Sequence, residues 1–213
     1  MMLKRILLVL AVSAVAAGCG DDGSSSADAA SPSDARVNDA NGRTIVEMVT
    51  SMGTMAIELF PQHMPITTAN FLTYVDSNWY NDTLIHRVQD DWVIQGGGWT
   101  TGLANKSPNA PIVLETSPMV GHVHGAISMA RTSDPNSATS QWFICDWPDG
   151  GGSTHEGQLN GNYAAFGIVI EGLDVLAAIT QVPIHAEANT MGNPPTLERV
   201  PVTEIFITSV TRR

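Results

Sequence analysis

Two neighbouring segments carry side chains that could act on a substrate. Leu84-Ile85-His86-Arg87-Val88 sets a guanidinium between apolar residues, and Trp92-Val93-Ile94-Gln95-Gly96-Gly97-Gly98 places Gln95 three residues after Trp92. A guanidinium is permanently charged and donates from a planar fork, so it can stabilise developing electron density without giving up a proton. Other chemistries lack their signatures. The chain has no Gly-x-Ser-x-Gly elbow and no phosphate loop ending in Gly-Lys-Ser/Thr. Gly96-Gly97-Gly98 lacks dinucleotide spacing and opens no helix; it reads as a bend or a place of close backbone approach. His122-x-His124 would put two imidazoles on one strand face, but no third ligand has suitable spacing, so no metal is expected and both read as packing or surface histidines. Asp90-Asp91 reads as a solvated turn tip rather than a paired acid. Cys145, in the apolar run Trp142-Phe143-Ile144-Cys145, reads as a buried inert thiol. Met52, Met55, Met64, Met119, Met129 and Met191 are scattered and read as core filler.

These residues must be held by short elements. Thr44–Thr50 alternates and is rich in β-branched residues, and Thr54–Phe60 follows a Ser-Met-Gly turn, so the two predict a hairpin. Pro65–Ser77 predicts a helix, with Thr67 or Thr68 as cap and Ala69, Phe71, Leu72 and Val75 as its apolar stripe. Thr83–Val88 and Trp92–Gln95 predict strands around the turn Gln89-Asp90-Asp91. Further short strands are expected at Ile112–Leu114, Ala126–Ala130, Gln141–Cys145, Ala165–Glu171 and Val202–Val210, with a second helix at Leu173–Ile179. Asp149–Gly161 reads as a flexible surface loop. Short strands separated by Gly- and Pro-rich loops favour a sandwich or closed barrel over a parallel sheet, and the absence of an evident free edge leans towards a barrel.

Later segments complete a pattern. Gly125-Ala126-Ile127-Ser128-Met129-Ala130-Arg131 leads into Ser137-Ala138-Thr139-Ser140-Gln141-Trp142-Phe143, and then into Tyr163-Ala164-Ala165-Phe166-Gly167. Taken with His-Arg-Val and Gln-Gly-Gly, these motifs occur in the order found in cyclophilins. Residues 43–211 resemble that family of peptidyl-prolyl isomerases, most closely its exported bacterial members. The resemblance implies a mainly β fold: a closed eight-stranded antiparallel barrel capped by two helices.

It also implies a chemistry. An Xaa-Pro bond rotates through a twisted state without amide resonance, over a barrier of about 18–20 kcal/mol. There the prolyl nitrogen regains a lone pair, and a donor aimed at it stabilises the transition state more than the planar ground state. By resemblance Arg87 is that donor, and Gln95 orients it and bonds the substrate backbone. Trp92, Val93, Phe143 and Leu159 match positions lining the proline pocket. Ala130, Arg131 and Thr132 match the segment that pairs with an extended peptide, Gln141 matches a pocket wall, and Tyr163 stands where bacterial members carry tyrosine. Three positions depart from the family's patterns, one of them Gln158, which stands where cyclosporin-sensitive members carry tryptophan. Trp92 replaces the usual pocket-floor phenylalanine, and Val93 is smaller than the usual Met or Leu. No cofactor is implied. Two rival readings keep the barrel but not the catalysis: a proline-peptide-binding module, and a barrel enclosing a small apolar ligand.

Charge and the N-terminus place the chain. The net charge is −11 over 213 residues, and Lys4 and Lys106 are its only lysines, which argues against nucleic acid as a partner. Residues 43–213 carry −9 of that charge and are expected to form one folded domain. Residues 1–18 read as an export signal: Lys4 and Arg5 precede the apolar Ile6–Val15, which is too short to span a bilayer. Ala16-Ala17-Gly18-Cys19 resembles a bacterial lipobox, which makes Cys19 the expected lipid-attachment site. The rival is an ordinary cleavage site with Cys19 incidental. Residues 19–42, rich in Gly, Ser, Ala and Asp, read as an acidic tether reaching about 25 Å. The expected protein is exported, lipid-anchored to a bacterial membrane and facing the periplasm, where it acts on proline-containing polypeptides.

Overall fold

A computed structural model describes residues 42–147, 152–185 and 197–213. The expected signal and all of the expected tether but Gly42 lie outside the described residues, as does Met191.

The described residues open with the expected hairpin: β1 (Thr44–Thr50) pairs with β2 (Gly53–Leu59), Thr50 opposite Gly53. Helix α1 (Pro65–Asp76) follows, then β3 (Thr83–Gln89), β4 (Val93–Thr100) and the two-residue β5 (Ala104–Asn105). After a long loop come β6 (Ala126–Met129), β7 (Trp142–Cys145), α2 (Gly152–Leu159), β8 (Ala165–Glu171), α3 (Leu173–Thr180) and β9 (Ile205–Arg212). The strands run β3-β9-β1-β2-β8-β6-β7-β4, and β4 pairs back onto β3, so eight antiparallel strands close into a barrel. The small β5 attaches to the end of β4 through Trp99 and Asn105.

The interior is filled by side chains. Val46, Met48, Ile57, Ile85, Ile94, Ile127, Trp142 and Phe166 meet in one buried cluster. Helix α1 adds Phe71, Leu72, Tyr74 and Val75, and α3 adds Leu176 and Ile179, so each covers the barrel with an apolar face. Among the described residues this packing fills the barrel interior with side chains, which speaks against the rival reading of an enclosed apolar ligand.

Several local expectations are corrected. Ile112–Leu114 is not a strand; only Ile112 makes an isolated bridge, to Ala138. Within Asp149–Gly161, residues 152–159 form a third helix rather than a loop. Gly96–Gly98 lie within β4 at an irregular stretch, where the four steps from Gly96 to Thr100 oppose only two on β3, from Ile85 to Thr83, in keeping with the expected bend or close approach. Their lack of side chains serves close approach: a Cβ on Gly97, at φ +91°, would lie 2.9 Å from Ser140 O and the rings of Trp142 and Tyr80. Neither Thr67 nor Thr68 caps α1. Glu115, far along the chain, accepts the Ile66 and Thr67 N–H groups at 3.3 and 2.9 Å. Met55, Met64 and Met129 are buried as expected, but Met52 and Met119 are exposed.

Candidate active site

A break in one strand aims Arg87. On β3, Ile85 faces Gly96 and Arg87 faces Gln95, so two residues of β3 oppose one of β4 and His86 is the bulged residue. Side chains alternate along a strand, so Arg87 would otherwise share the inward face of Ile85. The bulge resets the phase. Ile85 and Val88 enter the core, and Arg87 turns to the outer surface, half-buried.

Pairing then extends this position across four strands. Arg87 lies opposite Gln95, Gln95 opposite Phe143, and Phe143 opposite Ser128. The two-residue period keeps Ile94, Trp142, Ile144 and Ile127 inside. On the outside, Val93, Phe143, Cys145, Ala126, Trp147 and Leu159 form a second apolar cluster against which Trp92, Ala130 and Tyr163 pack. One end of the row is therefore charged and polar, and the middle is apolar.

Over this row lies a hollow of about 210 Å³. Arg87 and Gln95 line one side, Trp92, Val93, Phe143 and Leu159 the apolar part, and Ala130, Arg131 and Tyr163 the other side. A second hollow of about 170 Å³ shares Gln95, Ala130 and Arg131, and adds Thr132 and Gln141. The fold thus brings together every residue named for catalysis or substrate contact.

The polar groups form a string. Arg87 Nη1 donates to Gln95 Oε1 at 3.5 Å, Arg87 Nη2 to Gln89 Oε1 at 2.8 Å, and Gln95 Nε2 to Gln141 Oε1 at 3.1 Å. Among the described residues, no carboxylate lies within ion-pair distance of Arg87. Burial, and after it the charge of Arg199, draws the Arg87 pKa below the ordinary arginine value, with Glu198 and Tyr163 opposing. The group stays charged at neutral pH.

The apolar wall is braced from behind. Phe143 meets Tyr163 edge-on at 5.6 Å and stacks at 6.0 Å on His122, which hydrogen-bonds Ser128 and Asn160. Burial lowers the His122 pKa, so the ring is neutral. His124 takes a different partner, Asp146, at 3.6 Å, and the two imidazoles make no common site. Arg131 lies 4.6 Å from the Tyr163 ring and donates to the Asn162 and Thr132 carbonyls. The enlarged residue Trp92 rests on Trp147 at 5.6 Å and on His155 of α2 at 4.5 Å. Sequence reasoning missed those two supports because they lie in and beside the segment read as a loop. It also missed Gln89, assigned to the turn, although its spacing of two from Arg87 was a usable sign.

A family model for cyclophilin type peptidyl-prolyl cis-trans isomerases matches residues 45–211. The chain belongs to this family. A peptidyl-prolyl cis-trans isomerase of Acinetobacter baylyi is 43% identical over 144 residues, 68% of this chain and 76% of that protein. Peptidyl-prolyl cis-trans isomerase B of Escherichia coli is 33% identical over 171 residues, covering 78% of this chain and 98% of the relative. Among solved structures, a Cryptosporidium parvum cyclophilin type isomerase superposes with a TM-score of 0.66 at 26% identity, over 80% of this chain and 98% of that one. A second crystal structure of that isomerase, obtained in the presence of the dipeptide Ala-Pro, matches with the same TM-score at 27% identity. This cyclophilin is therefore a peptidyl-prolyl isomerase, and its chemistry is rotation about the bond preceding proline.

Proposed function

We propose that Arg87 is the donor that drives this rotation, and that the adjoining apolar hollow holds the proline ring. The observation that carries the assignment is the register placing the guanidinium at the rim of that hollow, partnered by neutral amides rather than by an acid. Trp92, Val93, Phe143 and Leu159 grip the ring. Gln95 bonds the substrate backbone, and Ala130, Arg131 and Thr132 offer backbone groups to an extended peptide. As the imide twists, the prolyl nitrogen becomes pyramidal and its lone pair meets the guanidinium. The interaction is absent from the planar ground state, so it lowers the barrier rather than merely binding substrate. Lowering the barrier by about 7 kcal/mol corresponds to roughly 10⁵-fold. No proton transfer and no covalent intermediate enters this step.

The test is exchange spectroscopy on an Xaa-Pro peptide with the full-length protein. Arg87→Ala is expected to lower kcat/KM by about 10²–10³-fold, the usual cost of removing one preorganised donor. An unchanged rate would sink the assignment. Proline peptides that bind the wild type without faster exchange would instead select the non-catalytic binding module.

The same reading places the enzyme outside the cytoplasm as a folding helper for exported polypeptides. It is supported by the basic and apolar N-terminus and by the small residues before Cys19. On this reading residues 1–18 are removed, an acylated Cys19 anchors the chain, residues 19–42 are the tether, and residues 43–213 are the isomerase domain facing the periplasm. In a bacterial host, Cys19→Ser should move the protein from the membrane fraction to the soluble fraction, with loss of the acyl mass. Equal partitioning of both forms would overturn the anchor.

A further inference from the structure

Arg87 is held from two sides, and the partner singled out by family resemblance makes the longer bond. The Gln95 contact, at 3.5 Å, lies at the outer edge of hydrogen-bond distance, whereas the Gln89 contact is 2.8 Å. We propose that Gln89 is a positioning residue for the isomerase reaction, its side-chain carbonyl fixing the plane of the Arg87 guanidinium at the rim of the proline hollow. The proposal rests on the reading of Arg87 as the donor.

Backbone and side chain of Gln89 serve the site together. After the His86 bulge the pairing is regular, with Arg87 opposite Gln95, Val88 opposite Ile94 and Gln89 opposite Val93. Arg87 and Gln89 therefore share the outer face, two residues apart. The Gln89 carbonyl also accepts the Trp92 N–H at 3.1 Å, closing the turn that carries Trp92 into the hollow. One residue thus ties the charged rim to the apolar floor.

Donor and acceptor rules fix the orientation. A guanidinium only donates, so both glutamines must present Oε1 to it. Gln95 then has its Nε2 for Gln141 Oε1, at 3.1 Å, which sets Gln95 the same way round. Space for Gln141 depends on Gly98, where a Cβ would lie 2.7 Å from the Gln141 side chain. Two of the five guanidinium N–H groups are used in this clamp, and the other three have no hydrogen-bond partner among the described residues. Because the Gln89 amide is neutral, it restrains the cation without cancelling its charge.

The experiment measures kcat and KM by exchange spectroscopy for full-length wild type, Gln89→Leu, Gln89→Glu, Arg87→Ala and the double variant Gln89→Leu/Arg87→Ala. Gln89→Leu is expected to lower kcat about tenfold with little change in KM, the scale of one hydrogen bond to a charged group. Gln89→Glu keeps an oxygen at that place but pairs the cation with a charge, so its rate at neutral pH should fall between those of wild type and Gln89→Leu. In the Arg87→Ala background, Gln89→Leu should cost nothing further, since the effect passes through the guanidinium. The proposal is overturned if Gln89→Leu leaves the rate unchanged, if Gln89→Glu is as slow as Gln89→Leu, or if the tenfold loss persists without Arg87. Failure of the underlying reading is separate: it appears as an Arg87→Ala rate equal to wild type.

Discussion

His86, the bulged residue that turns Arg87 outward, should make the protein acid-labile by a predictable amount. Its side chain is 1% exposed and lies 6.1 Å from the Trp99 ring, and its Nδ1 has no hydrogen-bond partner among the described residues. Burial pushes its pKa down to about 4 from an ordinary 6.5; a hydrogen bond to the Leu84 carbonyl pulls upward, and the Arg87 charge adds to the depression. The folded value lies below the unfolded one, so the unfolded chain takes up the proton first. Stability is fully present above pH 6.5, declines as pH falls towards 4, and levels off below. Between pH 7.5 and 4.5 the loss is about 2.5 kcal/mol, from 1.36 kcal/mol per tenfold change in proton affinity. That is a large part of a typical stability of about 5–15 kcal/mol. Urea unfolding of wild type and His86→Phe across this range isolates the effect, because the carboxylates titrate in both proteins. The variant should gain about 2.5 kcal/mol on the wild type as pH falls, with parallel slopes in urea. A difference between the two that stays constant with pH would refute the assignment of the buried neutral imidazole.

Three further outcomes follow from the packing. Gly97→Ala should destabilise the protein by about 2–4 kcal/mol in thermal or urea unfolding, since φ is +91° and a Cβ would press on Ser140 O at 2.9 Å. Phe143→Ala should cost about 3–5 kcal/mol in stability. It should also raise KM for proline peptides, because the ring is both a wall of the hollow and the face on which Tyr163 and His122 rest. Cys145 should resist thiol reagents in the native state and react on unfolding, as peptide mapping after labelling will show; the side chain is fully buried, and burial raises its thiol pKa.

How far the sequence reached depended on the range of the interaction. Trp142-Phe143-Ile144-Cys145 was legible as a strand because length and β-propensity are local. Both of its faces are buried, one by the barrel core and one by the groove cluster, which explains its unbroken apolar run. The bulge at His86 was not legible. His-Arg-Val alternates no differently from its surroundings, and the phase change appears only when β4 is laid beside it. The cap on α1 was missed for a similar reason: Glu115 stands 49 positions from Ile66, so Thr67 and Thr68 looked better placed. Helix α2 carries glycine and polar residues of low helix propensity, and what holds it is the burial of Leu159 and the contact of His155 with Trp92 and Trp147. Tertiary packing overrode composition there.

The groove has to be outside the barrel, and the glycines show why. Trp142 occupies the interior behind Gly96 and Gly97; a Cβ on Gly96 would lie 3.0 Å from its ring. With the inside filled by indole, the only face left to β4 and β7 is the outer one, and there the two-residue period sets Gln95 beside Phe143. A flat outer face would not distinguish charge from hydrocarbon. The His86 bulge supplies the distinction by turning Arg87 outward beside Gln95, so the row is charged and polar at that end and apolar at Phe143. On the proposed reading the closed barrel matters for catalysis: each strand of the row is hydrogen-bonded on both sides, so the guanidinium and the apolar wall would keep their spacing while an imide turned between them.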